Sequence, residues 1–204
     1  MPADSLPADS PASAGGAPGS GSTVPAPRQR SGPYRVCMVC LGNICRSPMA
    51  EVALQAELKR AGLDGRVTVE SAGTGDWHVG GPMHPGARSE LSRRGLDGRD
   101  HRARQIDRSW LGDFDLLVAM DRSNLANLRR MAGRDDAMAG RIRLMRSFDL
   151  AAEPGAEVPD PYDGGPEDFA EVLDLVQAAV AGLAGQLAAA LSDQPDRPGL
   201  PDAS

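Results

Sequence analysis

The sequence predicts an α/β fold, a parallel sheet covered by helices on both faces, with a phosphate-binding loop directly after the first strand. Three observations carry that prediction. Short apolar runs at 34–39, 67–71, 115–120 and 142–144 alternate with stretches of helical periodicity, the pattern of parallel strands joined by crossover helices. Between the first strand and the first helix lies Cys40-Leu41-Gly42-Asn43-Ile44-Cys45-Arg46-Ser47, a loop with its own glycine and an arginine six positions after a cysteine. Ligands of such sheets bind outside the carboxyl ends of the strands, where this loop falls.

The elements follow in order. Residues 34–39 (YRVCMV) form a short buried strand. Pro48 suits a first helical turn, where its missing N–H is not needed. Ala50, Ala53, Leu54, Leu58 and Ala61 keep helical spacing until Gly62 stops the helix. Residues 67–71 are the second strand, and the glycine-bearing stretch 72–84, with Pro82, is an irregular loop that carries Trp77. A helix over 85–94 stops at Gly95. The apolar run 115–120 is a buried parallel strand, followed by a helix over 123–131 with Asp121 as its cap rather than a catalyst. Residues 142–144 are a minimal fourth strand, and 148–166 is irregular. Phe169, Val172, Leu173, Val176, Val180, Leu183, Leu187 and Leu191 then repeat every three or four residues, a long amphipathic helix whose stripe is core packing.

At 204 residues the chain suits one domain with tails. Residues 1–33 are rich in Pro, Ala, Gly and Ser without apolar periodicity, and 192–204 are similarly polar. Neither can bury enough surface to offset ordering entropy, so both are expected to be disordered, leaving a domain at 34–191. The first 33 residues lack the continuous apolar run of a secretory signal, and no stretch is expected to span a bilayer. Three closely placed cysteines argue against a disulfide framework and for a reducing cytoplasm. A formal net charge of −6 speaks against nucleic-acid binding. In the first tail Asp4 and Asp9 offset Arg28 and Arg30, so any phosphate affinity has to be local.

The 40–47 loop supplies it. Its backbone N–H groups and the following helix N-terminus offer partial positive charge to an oxyanion. Arg46 adds a planar fork for two phosphate oxygens. The same field favours a Cys40 thiolate, and only the thiolate is a good nucleophile. Cys37-x-x-Cys40 is not read as a zinc site or redox pair, because no second cysteine pair follows and the region is apolar. No metal and no cofactor is expected.

The run 39–51 resembles the signature of the low-molecular-weight protein tyrosine phosphatases, and Val158-Pro159-Asp160-Pro161-Tyr162 resembles that family's general-acid loop. Glu70-Ser71-Ala72-Gly73-Thr74, Trp77-His78, His101-Arg102-Ala103-Arg104-Gln105 and Ala119-Met120-Asp121 extend the likeness over 34–191. The resemblance implies a three-layer sandwich with a four-stranded parallel sheet in the order 2-1-3-4. It implies phosphotyrosine hydrolysis through a cysteinyl-phosphate, without metal. Cys40 is then the nucleophile, Arg46 the phosphate clamp, and Leu41, Gly42, Asn43, Ile44, Cys45, Arg46 and Ser47 the cradle. Asp160 is the acid and later the base, since expelling tyrosinate, whose conjugate acid has pKa about 10, calls for a proton donor. Asn43 and Ser47 hold the loop and stabilise the sulfur, while Ser71 and His101 brace Asn43. Trp77, Tyr162 and Ile44 wall a slot for a phenyl ring.

Ile44 stands where relatives acting on phosphoarginine have threonine, which favours phosphotyrosine. Cys45 matches a cysteine that traps the oxidised nucleophile as a disulfide. Tyr162-Asp163-Gly164-Gly165 departs from the two adjacent tyrosines of many relatives, and adds a negative charge near the entrance. The implied partners are phosphotyrosine proteins or small aryl phosphates, met by a cytoplasmic monomer with no nucleic-acid or membrane partner. The alternatives are a protein-arginine phosphatase, an arsenate reductase of the same fold, or a non-catalytic phosphotyrosine-binding module. The reductase needs cysteines downstream of Cys45, and the chain has none. Intact Cys40, Arg46 and Asp160 argue against the binding module.

Overall fold

The structure is a computed structural model that describes residues 24–29 and 31–192. Its organising element is β1 (Tyr34–Cys40), buried along its length except at Arg35. Side chains alternate across it, as the two-residue period of a strand requires. Tyr34, Val36, Met38 and Cys40 enter one core, and Cys37 and Val39 enter the other. A strand with apolar groups on both faces cannot sit at a solvated surface, and β1 is central in the sheet order β2-β1-β3-β4. All three pairings are parallel, between β1 and β2 (Val67–Gly73), β1 and β3 (Leu116–Ala119), and β3 and β4 (Ile142–Leu144). The expected order and the three layers are therefore both present.

One layer holds α1 (Arg46–Arg60), α2 (Pro85–Arg93) and α5 (Pro166–Ser192), which pack on one another. The other holds α3 (Arg122–Ala132) and the single turn α4 (Asp136–Ala139). α5 starts three residues before its first apolar repeat, because Pro166 suits the opening turn. Asp168 accepts the Gly165 N–H at 2.6 Å there. Two 3₁₀ segments, Arg108–Asp113 and Met145–Phe148, and the turn α4 escape sequence reading, being too short to show a period. Gly182 lets α5 lie on the second 3₁₀ segment, since a Cβ there would stand 2.0 Å from the Phe148 carbonyl oxygen.

Two expectations change. By length and composition α5 is apolar enough to cross a membrane, although no such stretch was anticipated. Its stripe from Phe169 to Leu191 is buried, and the helix lies against α1, α2 and the second 3₁₀ segment, the packing of a core helix. Residues 24–29, assigned by composition to the tail, lie against the domain. Tyr34 Oη donates to the Pro25 carbonyl (3.0 Å), Arg141 donates to Ala26 O (2.9 Å), and the Arg28 N–H donates to Asp115 (2.6 Å). These contacts use backbone groups, which leave no apolar pattern to read. The disorder expected for 1–23 and 193–204 lies outside the described residues.

Candidate active site

β1 delivers Cys40 to the carboxyl edge of the sheet, opposite Gly73 of β2. The chain then folds back tightly over β2. A Cβ on Gly73 would stand 2.7 Å from Leu41 O and 3.1 Å from the Asn43 nitrogen, so only glycine permits this approach. The Thr74 and Gly75 N–H groups tie the carbonyls of Cys40 and Leu41, both at 2.9 Å. Asn43 takes the left-handed conformation (φ 55°), which asparagine tolerates better than most residues. α1 begins at Arg46 with Cys45 as its N-cap and no side-chain cap, so no side chain competes for its first N–H groups.

Around the sulfur the hydrogen bonds have a direction. Asn43 is fully buried and its side-chain amide donates to Ser47 Oγ (2.9 Å) and to Ser71 Oγ (2.8 Å). Both amide hydrogens are thereby used, and both hydroxyl oxygens act as acceptors. Ser71 passes its own hydrogen to Glu51 Oε2 (2.6 Å). Ser47 is left with a hydrogen for Cys40 Sγ at 3.0 Å, nearer than its alternative, Ala72 O at 3.4 Å. The Asn43 N–H also points to Sγ, at 3.2 Å. Asn43 is itself held by the Arg104 N–H on Oδ1 (2.9 Å) and by His101 Nε2 against its carbonyl (2.7 Å). Burial holds His101 below its usual pKa, which favours the neutral ring that donates from Nε2. Burial raises the Glu51 carboxyl, against the opposing effect of the Ser71 bond.

Arg46 lies beneath the opening with its guanidinium between two carboxylates. One terminal nitrogen donates to Asp121 Oδ2 (2.6 Å) and the other to Asp160 Oδ2 (2.5 Å), while Nε is buried without a hydrogen-bond partner among the described residues. Asp121 also accepts the Asn124 N–H on Oδ1 (2.7 Å), so one carboxylate caps α3 and anchors the arginine. Sequence reading saw only the cap. Asp160 is carried on a loop pinned by Val158, which is buried and donates its N–H to Met120 O (2.9 Å).

These groups share one pocket of about 420 Å³, lined by Cys40, Ile44, Cys45, Arg46, Trp77, Asp160 and Tyr162 among others. The expected pocket residues are thus together, with Asn43, Ser47, Ser71 and His101 supporting the loop from behind. Trp77 (72% exposed) and Tyr162 (48% exposed) are apolar walls left open to solvent, and His78 lies 6.0 Å from the Tyr162 ring. Cys45 is buried and its thiol is pushed up to about 12, first by burial and then by the charges of Cys40 and Asp160. Cys37 faces the opposite core, where burial also raises its thiol. Among the described residues no cluster of His, Cys, Asp or Glu has the makings of a metal site. Besides the second role of Asp121, sequence reasoning gave no role to Glu51, Arg104 and His78, although all three lie in the runs that carry the family resemblance.

The family model described as low molecular weight phosphotyrosine protein phosphatase matches residues 35–193. A low molecular weight protein-tyrosine-phosphatase of Streptomyces coelicolor is 48% identical over 151 residues, 74% of this chain and 91% of that protein. The crystal structure of YfkJ from Bacillus subtilis superposes with a TM-score of 0.69 at 35% identity, covering 82% of this chain and all of that one. A protein tyrosine phosphatase from Entamoeba histolytica, crystallised with Hepes in its active site, gives 0.71 at 31% identity over 76% of this chain and 96% of its own.

Proposed function

This chain belongs to the low-molecular-weight protein-tyrosine phosphatase family, an enzyme family, and from that premise we propose that Cys40, Arg46 and Asp160 hydrolyse phosphotyrosine as follows. The phosphate dianion enters the loop and takes hydrogen bonds from the N–H groups of 41–47 and from Arg46, whose unpartnered Nε is a donor in want of an acceptor. It competes with Asp160 for the guanidinium. A carboxylate released from its cation beside a dianion holds a proton more readily. Cys40 thiolate attacks phosphorus, the bond to the tyrosine oxygen breaks, and Asp160 delivers its proton to that oxygen. Water then attacks the cysteinyl-phosphate, giving a proton to Asp160 while the P–S bond breaks and the thiolate returns. The Ser47 hydroxyl and the Asn43 N–H stabilise that sulfur as nucleophile and as leaving group.

Trp77, Tyr162 and Ile44 support phosphotyrosine as substrate, because an apolar slot suits a flat ring with its phosphate at the bottom. Cys45, in the same pocket, is proposed to guard the nucleophile. Oxidised to a sulfenic acid, Cys40 would condense with the Cys45 thiol to a disulfide and water. Both thiols must stay reduced for turnover, which supports a cytoplasmic setting.

The observation that carries this reading is the meeting of sulfur, guanidinium and carboxylate on one aromatic-walled pocket. Rapid quench of turnover with phosphorus-labelled substrate tests it. Label should appear on Cys40 in the wild type and vanish in Cys40→Ser along with p-nitrophenyl phosphate hydrolysis; turnover that survives in Cys40→Ser would refute the mechanism.

A further inference from the structure

A depression of about 450 Å³ leads out of the phosphate pocket, sharing Ile44, Trp77, His78 and Tyr162 with it and ending at Pro85 and Arg88 on α2. From those two residues a further depression of about 690 Å³ continues past Ser92 and Arg93 to Arg99. The two form one trough along α2. Its charge is unlike that of the chain. The nearer part has no acidic side chain and holds Arg88, and the farther part adds Arg93 and Arg99, each with one carboxylate partner, so Arg88 supplies the unbalanced positive charge. The whole protein carries a formal net charge of −6.

Arg93 is tied to Glu90 (3.1 Å) and Arg99 to Asp97 (2.6 Å), but Arg88 is exposed and makes no ion pair or side-chain hydrogen bond among the described residues. Asp163 borders the phosphate pocket and not the trough, so the sign of charge around the opening differs from one side to the other. A basic trough opening into a phosphate site concentrates acidic chains along one direction only.

We propose that this trough is a subsite for acidic side chains of the substrate polypeptide on one side of its phosphotyrosine, and that Arg88 is its specificity-determining residue. The proposal rests on the phosphotyrosine-phosphatase reading above and adds a direction and a charge to its substrate. An extended peptide advances about 3.3–3.6 Å per residue, so the trough would receive side chains a few positions from the phosphotyrosine.

The test compares phosphotyrosine peptides bearing alanine, glutamate or lysine two to four positions before or after the phosphotyrosine, with p-nitrophenyl phosphate as a substrate too small to reach Arg88. Glutamate on one side should raise kcat/KM about two- to fivefold per residue, mainly through KM, as expected for a solvent-exposed ion pair. The gain should shrink with added salt. Arg88→Glu should reverse the preference toward lysine and leave p-nitrophenyl phosphate kinetics unchanged. Arg88→Ala carries the same comparison should the charge reversal disturb folding, and should cancel the preference. Equal kcat/KM across the peptides, or a glutamate preference that persists in both variants, overturns the subsite while leaving the phosphatase reading intact. A wild-type protein inert toward p-nitrophenyl phosphate and all peptides would overturn both.

Discussion

Replacing Asn43 with aspartate changes almost nothing but the direction of two hydrogen bonds. The volume is kept, aspartate tolerates the left-handed backbone, and Oδ1 can still accept the Arg104 N–H. The other side-chain atom, however, turns from a donor of two hydrogens into an acceptor. Ser47 and Ser71 must then rotate their hydroxyls to donate into the carboxylate. Ser47 loses the hydrogen it offers Cys40 Sγ at 3.0 Å, and Ser71 loses the one it offers Glu51 at 2.6 Å. A hydrogen bond to a charged partner contributes about 1.5–3 kcal/mol. Its loss in the transition state corresponds to about a 10- to 100-fold fall in kcat/KM, with repulsion between the new carboxylate and the thiolate adding to it. We expect that fall with p-nitrophenyl phosphate, together with slower alkylation of Cys40 by iodoacetamide at neutral pH. A folded Asn43→Asp protein with wild-type kcat/KM and alkylation rate would show that the order of donors does not matter to the sulfur.

Asp160→Ala should slow substrates with poor leaving groups far more than activated aryl phosphates. Equal slowing across a leaving-group series would remove the acid role. Asp121→Asn should lower kcat/KM about tenfold, by weakening the hold on Arg46, with little change in thermal midpoint, since asparagine caps a helix as well as aspartate does. A lowered midpoint with full activity would assign Asp121 to the cap alone. His101 has its pKa depressed by burial, so the unfolded chain takes up a proton at higher pH than the folded one. Stability should therefore decline as pH falls below about 6.5, and urea midpoints for His101→Gln should decline less. Cys45→Ser should turn peroxide inactivation that thiols reverse into a permanent loss; unchanged recovery would give Cys45 no protective part.

The 40–47 loop was legible because its parts are neighbours in the chain. A strand, a glycine-bearing turn and a helix start follow one another directly, so local periodicity locates the sulfur, the N–H groups and Arg46 together. The long apolar repeat of α5 was legible for the same reason, whereas α4 and the 3₁₀ segments run for at most two turns, too few for a period to repeat visibly. Asp160 was identified by the likeness of its loop to a known one, since an Asp-Pro turn has no chemistry of its own. Only the tertiary structure could show that Asp121, 75 residues from Arg46, and Asp160, 114 residues from it, hold the same guanidinium. The physical reason is the sheet. Parallel pairing of β1 with β3 sets their carboxyl ends side by side, so a helix cap after β3 falls within reach of the loop after β1. The same folding brings Ser71 and the Arg104 N–H onto Asn43 from distant segments, with Glu51 accepting the hydrogen of Ser71, and so orders the donors behind one cysteine in a way no reading of residue types along the chain contains.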